Sequence, residues 1–363
     1  MSDTRNSQRA LTTAQREVFD NLLAVGGSRP VSPPALVSEL SEMIEQGCAV
    51  ALAKWPENRL WFGKSQLSAM QRCEGAVVAQ AAERTESSMS PSTAVGTVAH
   101  RAIQIAHTHS HLTPAAAVDA AIEASREEER FAEWWSSQSV GLQSDLLCQM
   151  ISRAVGFLDA FPPLAPNWVP RFEESIQVRL GGLVMSARPD LVLGRPRPDM
   201  RQTMFLCDFK TGSLHDGHDL EAMFYALVST LRFGTAPYRS TVFSVASGDW
   251  TDPDVSPAKL RETAKSVVDA VNRYVDVMLE RRPATLTADR WCSWCPARSS
   301  CPAAAEAKAA GGSSTRSGAK PAQAQPVQLA AGKPPATRQS KAKASPRSPG
   351  GAVKSAPSVF DIE

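Results

Sequence analysis

The chain has 363 residues, 39 Lys/Arg against 37 Asp/Glu, 43% apolar residues and seven cysteines, a profile that fits a globular protein of at most two or three domains. No run approaches the roughly 18 unbroken apolar residues of a spanning helix, and Met1 to Asp20 lacks the apolar core of a secretory signal; membrane and fibrous classes are excluded and a cytoplasmic location is expected. An odd cysteine number in a chain long enough to build its own core points to free thiols or metal ligands rather than disulfides.

Taken in chain order, Thr12 with Gln15 forms a capping-box pattern for a helix running to Val25, and Ser32-Pro33-Pro34 opens a second helix through Glu45. His107, His109 and His111 recur at alternate positions and suit a solvated turn. Ala115 to Ser136 and Leu142 to Phe161 read as two longer helices, the second with Leu146, Leu147, Met150, Ile151, Ala154 and Leu158 on one stripe. The period then changes. Phe172, Ile176, Val178 and Leu180 alternate, Leu183 to Leu193 is a second extended run, and Thr203 to Phe209 is a third. These predict a small sheet, with residues 194–199 as the hairpin loop between the second and third runs. A helix over Asp219 to Leu231, a strand over Ser240 to Val245 and a long helix capped by Ser256-Pro257 complete an α/β core. His215 and His218 fall in a loop and are expected to be exposed.

Chemistry concentrates in the sheet. Asp208 and Lys210, in Leu206-Cys207-Asp208-Phe209-Lys210-Thr211-Gly212, are two apart and share a strand face. If the hairpin pairs the second and third runs, Asp190 comes beside Asp208. Two adjacent carboxylates repel unless a divalent cation sits between them, and carboxylate oxygens suit Mg²⁺ or Mn²⁺. From the residues alone, a surface ion pair at a strand end stands as the alternative. Downstream, Cys292, Cys295 and Cys301 form a C-x₂-C-x₅-C run with proline after the last two. Three thiolates need a fourth ligand, drawn from Cys48, Cys73, Cys148 and Cys207. Cys148 inside a helix and Cys207 inside a strand are expected to be small buried hydrophobes. Residues 303–363 hold nine Lys/Arg against three acids, a net of +6 that leaves −4 on residues 1–302, so any polyanion site in the folded part is local. The tail's Ala, Pro, Gly, Ser, Gln and Lys composition predicts disorder from about residue 310. Its end, Ser358-Val359-Phe360-Asp361-Ile362-Glu363, reads either as a peptide that docks on a protein partner or as a chain end without a role.

These motifs together resemble the RecB-like branch of the PD-(D/E)XK nuclease superfamily, which includes CRISPR-associated and recombination exonucleases. The resemblance rests on Gly96-Thr97-Val98-Ala99-His100 as the Gly-x-x-x-His helix, Asp190 after an extended strand, Asp208-Phe209-Lys210-Thr211-Gly212 as the core motif, and Glu221-Ala222-Met223-Phe224-Tyr225 where the family has Gln-x-x-x-Tyr. Glu221 departs from the pattern, while Tyr225 keeps it. The resemblance implies an α/β, restriction-endonuclease-like core, a small mixed sheet flanked by helices. It covers residues 61–302 as a nuclease domain, which the helical signals before it and the tail composition after it flank with a helical extension over 1–60 and a basic disordered tail over 303–363. It implies that His100, Asp190, Asp208 and the Phe209 carbonyl bind Mg²⁺ or Mn²⁺, and that Lys210 serves the attacking water. An acid ahead of the first strand residues is also expected; Glu173 and Glu174 are both candidates, and strand parity places Glu174 with the apolar face. Cys73 with Cys292, Cys295 and Cys301 matches the family's four-cysteine [4Fe-4S] staple, with structural Zn²⁺ as the alternative. The implied function is metal-dependent hydrolysis of DNA, at ends or in single strands, in recombination, repair or phage DNA metabolism. The rivals are a non-catalytic DNA-binding or scaffold subunit and an RNA substrate.

Overall fold

In the computed structural model, residues 11–24, 27–82, 89–109 and 111–309 are described. The expected disordered tail and its terminal peptide lie outside them. Helix α1 (Thr13–Glu17) carries the Thr12–Gln15 capping box and continues as a π-helical turn over Val18–Leu22. The same two side chains also bond the carbonyls of Asp159 and Leu158, which fixes this start against a distant helix. The second helix, α2 (Leu36–Leu52), begins later and ends later than expected. Ser32 does not cap it: its buried hydroxyl accepts the Ala236 N–H and lies 3.1 Å from Thr235 Oγ1.

Strand β1 (Leu60–Gly63) leads directly into α3 (Lys64–Arg72), α4 (Glu74–Ala82) and α5 (Pro91–Thr108). The expected helix over 115–136 is two, α6 (Pro114–Ser125) and α7 (Glu129–Ser137). A continuous helix at about 100° per residue would carry Phe131 off the Ala117–Ala121–Ser125 stripe. The break brings Phe131 into the core, where it stacks on Trp135 5.8 Å away. Ser139 caps α8 (Val140–Ala160), whose Leu146, Met150 and Ala154 are buried along the expected stripe. Cys148 is on its exposed face, contrary to expectation, because it falls off that stripe.

The strands are β2 (Arg171–Phe172), β3 (Ile176–Leu180), β4 (Leu183–Ala187), β5 (Leu191–Leu193), β6 (Phe205–Lys210) and β7 (Arg239–Ser244). They form two sheets rather than one, ordered β1-β4-β3 and β2-β5-β6-β7. The run Leu183 to Leu193 therefore divides at Arg188-Pro189-Asp190, where proline supplies no N–H to a ladder. In the second sheet β5 and β6 are antiparallel, while β6 and β7 are parallel and joined by α9 (Gly217–Phe233). Ser256 caps α10 (Pro257–Met278) as expected, and α11 (Pro302–Ala309) ends the described chain. One core joins α2, α9 and α10 to the first sheet, a second lies between the other sheet and the end of α8, and a third fills the space among α5 to α8. No described helix is long and apolar enough to cross a membrane.

Candidate active site

Five of the six residues of β6 are buried, and its carboxyl end carries Asp208 (3% exposed) and Lys210. Leu191 opposes Cys207 across β5 and β6, so Asp190 stands opposite Asp208 one step further along. The Phe209 N–H donates to Asp190 Oδ2 at 2.5 Å, and Asp190 Oδ1 lies 3.0 Å from Nδ1 of His100 on α5. Glu173 joins them: one ligand atom each from His100, Glu173 and Asp190 lies within 4.8 Å of the others. Its backbone adopts a φ of +53° in the turn between β2 and β3, which breaks strand parity and turns this acid, not Glu174, to the site. Glu174 instead pairs with Arg171 at 2.7 Å. Burial, then the Asp190 charge, pushes the Glu173 carboxyl up to about 7. Burial works against the His100 imidazolium, but the hydrogen bond and charge of Asp190 outweigh it, and its pKa is raised.

A second group sits beside the first. Asp208 Oδ1 lies 2.5 Å from Lys64 Nζ and accepts the Tyr225 hydroxyl at 3.0 Å; its Oδ2 lies 2.7 Å from Lys210 Nζ. The Tyr225 hydroxyl is also 3.1 Å from the Arg188 carbonyl. Glu221 Oε2 lies 2.9 Å from Lys210 Nζ and 3.6 Å from Lys64 Nζ. Burial alone would raise the Asp208 carboxyl, yet the two ammonium groups outweigh it and hold it down to about 2. Burial also opposes the Lys210 ammonium, and Asp208 with Glu221 overrides that, raising its pKa above the ordinary lysine value. Lys64, His100, Arg188, Asp190, Asp208 and Lys210 line one open cavity of about 310 Å³.

The cysteines converge about a separate cavity, of about 130 Å³, lined by Cys73, Cys292, Cys295 and Cys301. Backbone N–H groups of Thr287 and Asp289 donate to the sulfurs of Cys73 and Cys292, both at 3.4 Å. Burial, followed by the three neighbouring thiols among the electrostatic influences, raises the Cys295 thiol. Cys207 and Cys48 are buried in the cores, away from this cavity. Trp291 receives the Arg72 guanidinium over its ring and meets the edge of His215; the Trp294 side chain lies outside the described residues.

Of the residues expected from sequence, His100, Asp190, Asp208, Phe209, Lys210 and Tyr225 line one cavity, and Glu221 joins through its ion pair with Lys210. Sequence reasoning missed Lys64, which follows β1, a strand of four residues whose partner β4 lies over 120 residues away. The signal available was the apolar Leu60-Trp61-Phe62 run ending in Gly63. Two histidine expectations are corrected. His218 is 4% exposed, its Nδ1 accepting the His215 N–H, and His107 is wedged between Phe157 and Phe172 instead of lying in a solvated turn.

Carboxylates, an imidazole and two ammonium groups gather at the end of a mixed sheet, and this donor set suits a divalent cation. A family model of the PD-(D/E)XK nuclease superfamily matches residues 63–302, and the chain belongs to that superfamily of metal-dependent nucleases. No curated protein matches the chain.

Proposed function

We propose that the chain is a cytoplasmic, Mg²⁺- or Mn²⁺-dependent deoxyribonuclease of the RecB-like branch. In this reading it acts as an exonuclease on DNA ends or single strands in recombination, repair or phage DNA metabolism. The carrying observation is the convergence of His100 from α5, Asp190 from the segment between β4 and β5, and Asp208 and Lys210 from β6 on one open cavity. DNA and the exonuclease mode come from the motif resemblance.

The donor set fits a hard divalent cation, since carboxylate oxygens of Asp190 and Glu173 and a nitrogen of His100 already lie within 4.8 Å of one another. His100, Asp190 and Asp208 are the proposed ligands, with the Phe209 carbonyl as a further one and Glu173 beside them. Bound there, the cation supplies Lewis-acid polarisation of the phosphoryl group and eases deprotonation of a water. Lys210, kept protonated by Asp208 and Glu221, offers N–H donors to the attacking water or to charge growing on the phosphate. Tyr225 holds Asp208 Oδ1 in place through its hydroxyl.

Cys73, Cys292, Cys295 and Cys301 are proposed to hold a [4Fe-4S] cluster that staples the two ends of a nuclease domain over 61–302. The shared cavity and the N–H donors aimed at two sulfurs support this reading, because such donors tune cluster thiolates. The terminal segment Ser358 to Glu363 is proposed as a docking peptide for a protein partner.

The test is cleavage of end-labelled single- and double-stranded DNA with Mg²⁺ or Mn²⁺, by anaerobically prepared wild type and Asp208→Ala. Metal-dependent products from the wild type alone support the reading, and the product ladder gives the mode. Cluster-loaded protein that binds DNA and never cuts it, with either metal, favours the scaffold subunit instead.

A further inference from the structure

Lys64 is the first residue of α3, set at the cavity wall by the parallel pairing of β1 with β4, in which Gly63 opposes Ser186. Its chain passes the Tyr225 ring, with Nζ 4.8 Å from the ring centre, and ends on Asp208 Oδ1 at 2.5 Å. With Lys210 it makes two cations facing two carboxylates, Asp208 and Glu221, in a closed quartet. Glu221 brings a negative charge where the resembling pattern has an amide, and Lys64 balances that charge.

We propose that Lys64 is a built-in counter-cation that holds Asp208 until a divalent ion takes it, and then turns to the substrate phosphate. The inference rests on the nuclease reading and extends it. An ammonium at 2.5 Å and a divalent ion compete for the same lone pairs of Asp208 Oδ1, and their like charges repel. The Asp208 side chain is 4% exposed and cannot move away, whereas the Lys64 side chain is 23% exposed and borders the open cavity. A lysine is a flexible point charge on a four-carbon stem, suited to such an exchange. Glu221 lies 3.6 Å from Lys64 Nζ and keeps the displaced ammonium inside the site, where an incoming phosphate is the anion it meets.

The proposal makes two effects of one substitution point in opposite directions. Lys64→Ala removes the competitor, so Mn²⁺ binds the DNA-free chain more tightly, by roughly tenfold. The same variant loses a phosphate contact, so cleavage at saturating Mn²⁺ slows by roughly 10²-fold. Lys64→Arg, which keeps the charge, returns both values toward wild type. Glu221→Gln leaves two ammonium groups on one carboxylate and weakens Mn²⁺ binding, and the double variant Lys64→Ala with Glu221→Gln restores it. Mn²⁺ affinity is measured calorimetrically without DNA, and cleavage in single turnover on a single-stranded oligonucleotide, with thermal melting as the check on folding. A folded Lys64→Ala that binds Mn²⁺ no more tightly than a Mn²⁺-binding wild type overturns the proposal alone. A wild type that binds no Mn²⁺ and cuts nothing overturns the nuclease reading beneath it.

Discussion

Glu74→Gln tests how the two ends of the domain are held together without any bound cofactor. Glu74 directly follows Cys73 and is 2% exposed. Its carboxylate meets Arg273 Nη1 at 2.9 Å, Arg282 Nη1 and Nη2 at 2.6 and 2.8 Å, and the Thr285 N–H at 2.8 Å. The next residue, Gly75, donates its N–H to the Thr285 carbonyl, and a Cβ there would stand 2.3 Å from Leu286 Cδ2, so a side chain at this position would require Leu286 to shift. Burial opposes the Glu74 charge, but the arginines and the Thr285 N–H outweigh it and hold the carboxyl down to about 2, from 4.5. At about 1.4 kcal/mol per unit this amounts to roughly 3 kcal/mol of stability at neutral pH. The Arg273 and Arg282 side chains are 30% and 31% exposed, so water recovers part of their pairing, and we expect Glu74→Gln to cost about 2–3 kcal/mol. Because the folded pKa is the lower one, this stability is present above about pH 4.5 and is lost as pH falls toward 2. Urea denaturation of wild type and variant at pH 7 and at the lowest pH where both still fold measures it. A difference below about 0.5 kcal/mol at pH 7, or one that does not shrink on acidification, refutes the reasoning.

Three further outcomes are expected. Burial holds the His107 imidazole at about 4, while the unfolded side chain titrates near 6.5. The unfolded state therefore takes up the extra proton between these values, and stability falls by up to about 3 kcal/mol as pH drops from 6.5 to 4; denaturation of His107→Phe across that window should show a flatter profile. Tyr225→Phe removes the hydroxyl donor to Asp208 Oδ1, and single-turnover cleavage should slow by about tenfold with the melting temperature little changed. Cys295→Ser should strip the iron and acid-labile sulfide from anaerobically purified protein along with its visible absorption band; wild type that contains stoichiometric zinc and no iron would replace the cluster with the zinc alternative.

The sequence by itself determined what local rules encode. Strand period two put Asp208 and Lys210 on one face, and the hydroxyls of Thr12 and Ser256 marked helix starts that the fold keeps. The same period placed Cys207 among buried strand residues, and the spacing of Cys292, Cys295 and Cys301 singled out the residues that share a cavity with Cys73. Ser32 looked like a cap of the same kind, but a contact about 200 residues away uses its hydroxyl. The long run from Leu183 to Leu193 looked like one strand because its hydrophobicity is continuous, and proline with the packing of two sheets divided it.

Only the tertiary structure decided the charges of the site. Glu173 enters through a positive φ that no strand pattern signals, and Lys64 reaches Asp208 because β1 docks beside β4. Glu221 reads in sequence as a departure from a pattern, whereas in the fold it is the counter-charge of two lysines. The physical reason is one of range. Caps and side-chain periodicity act within a few residues and leave a trace in the chain, while an ion pair between residues 144 positions apart depends on where whole elements pack.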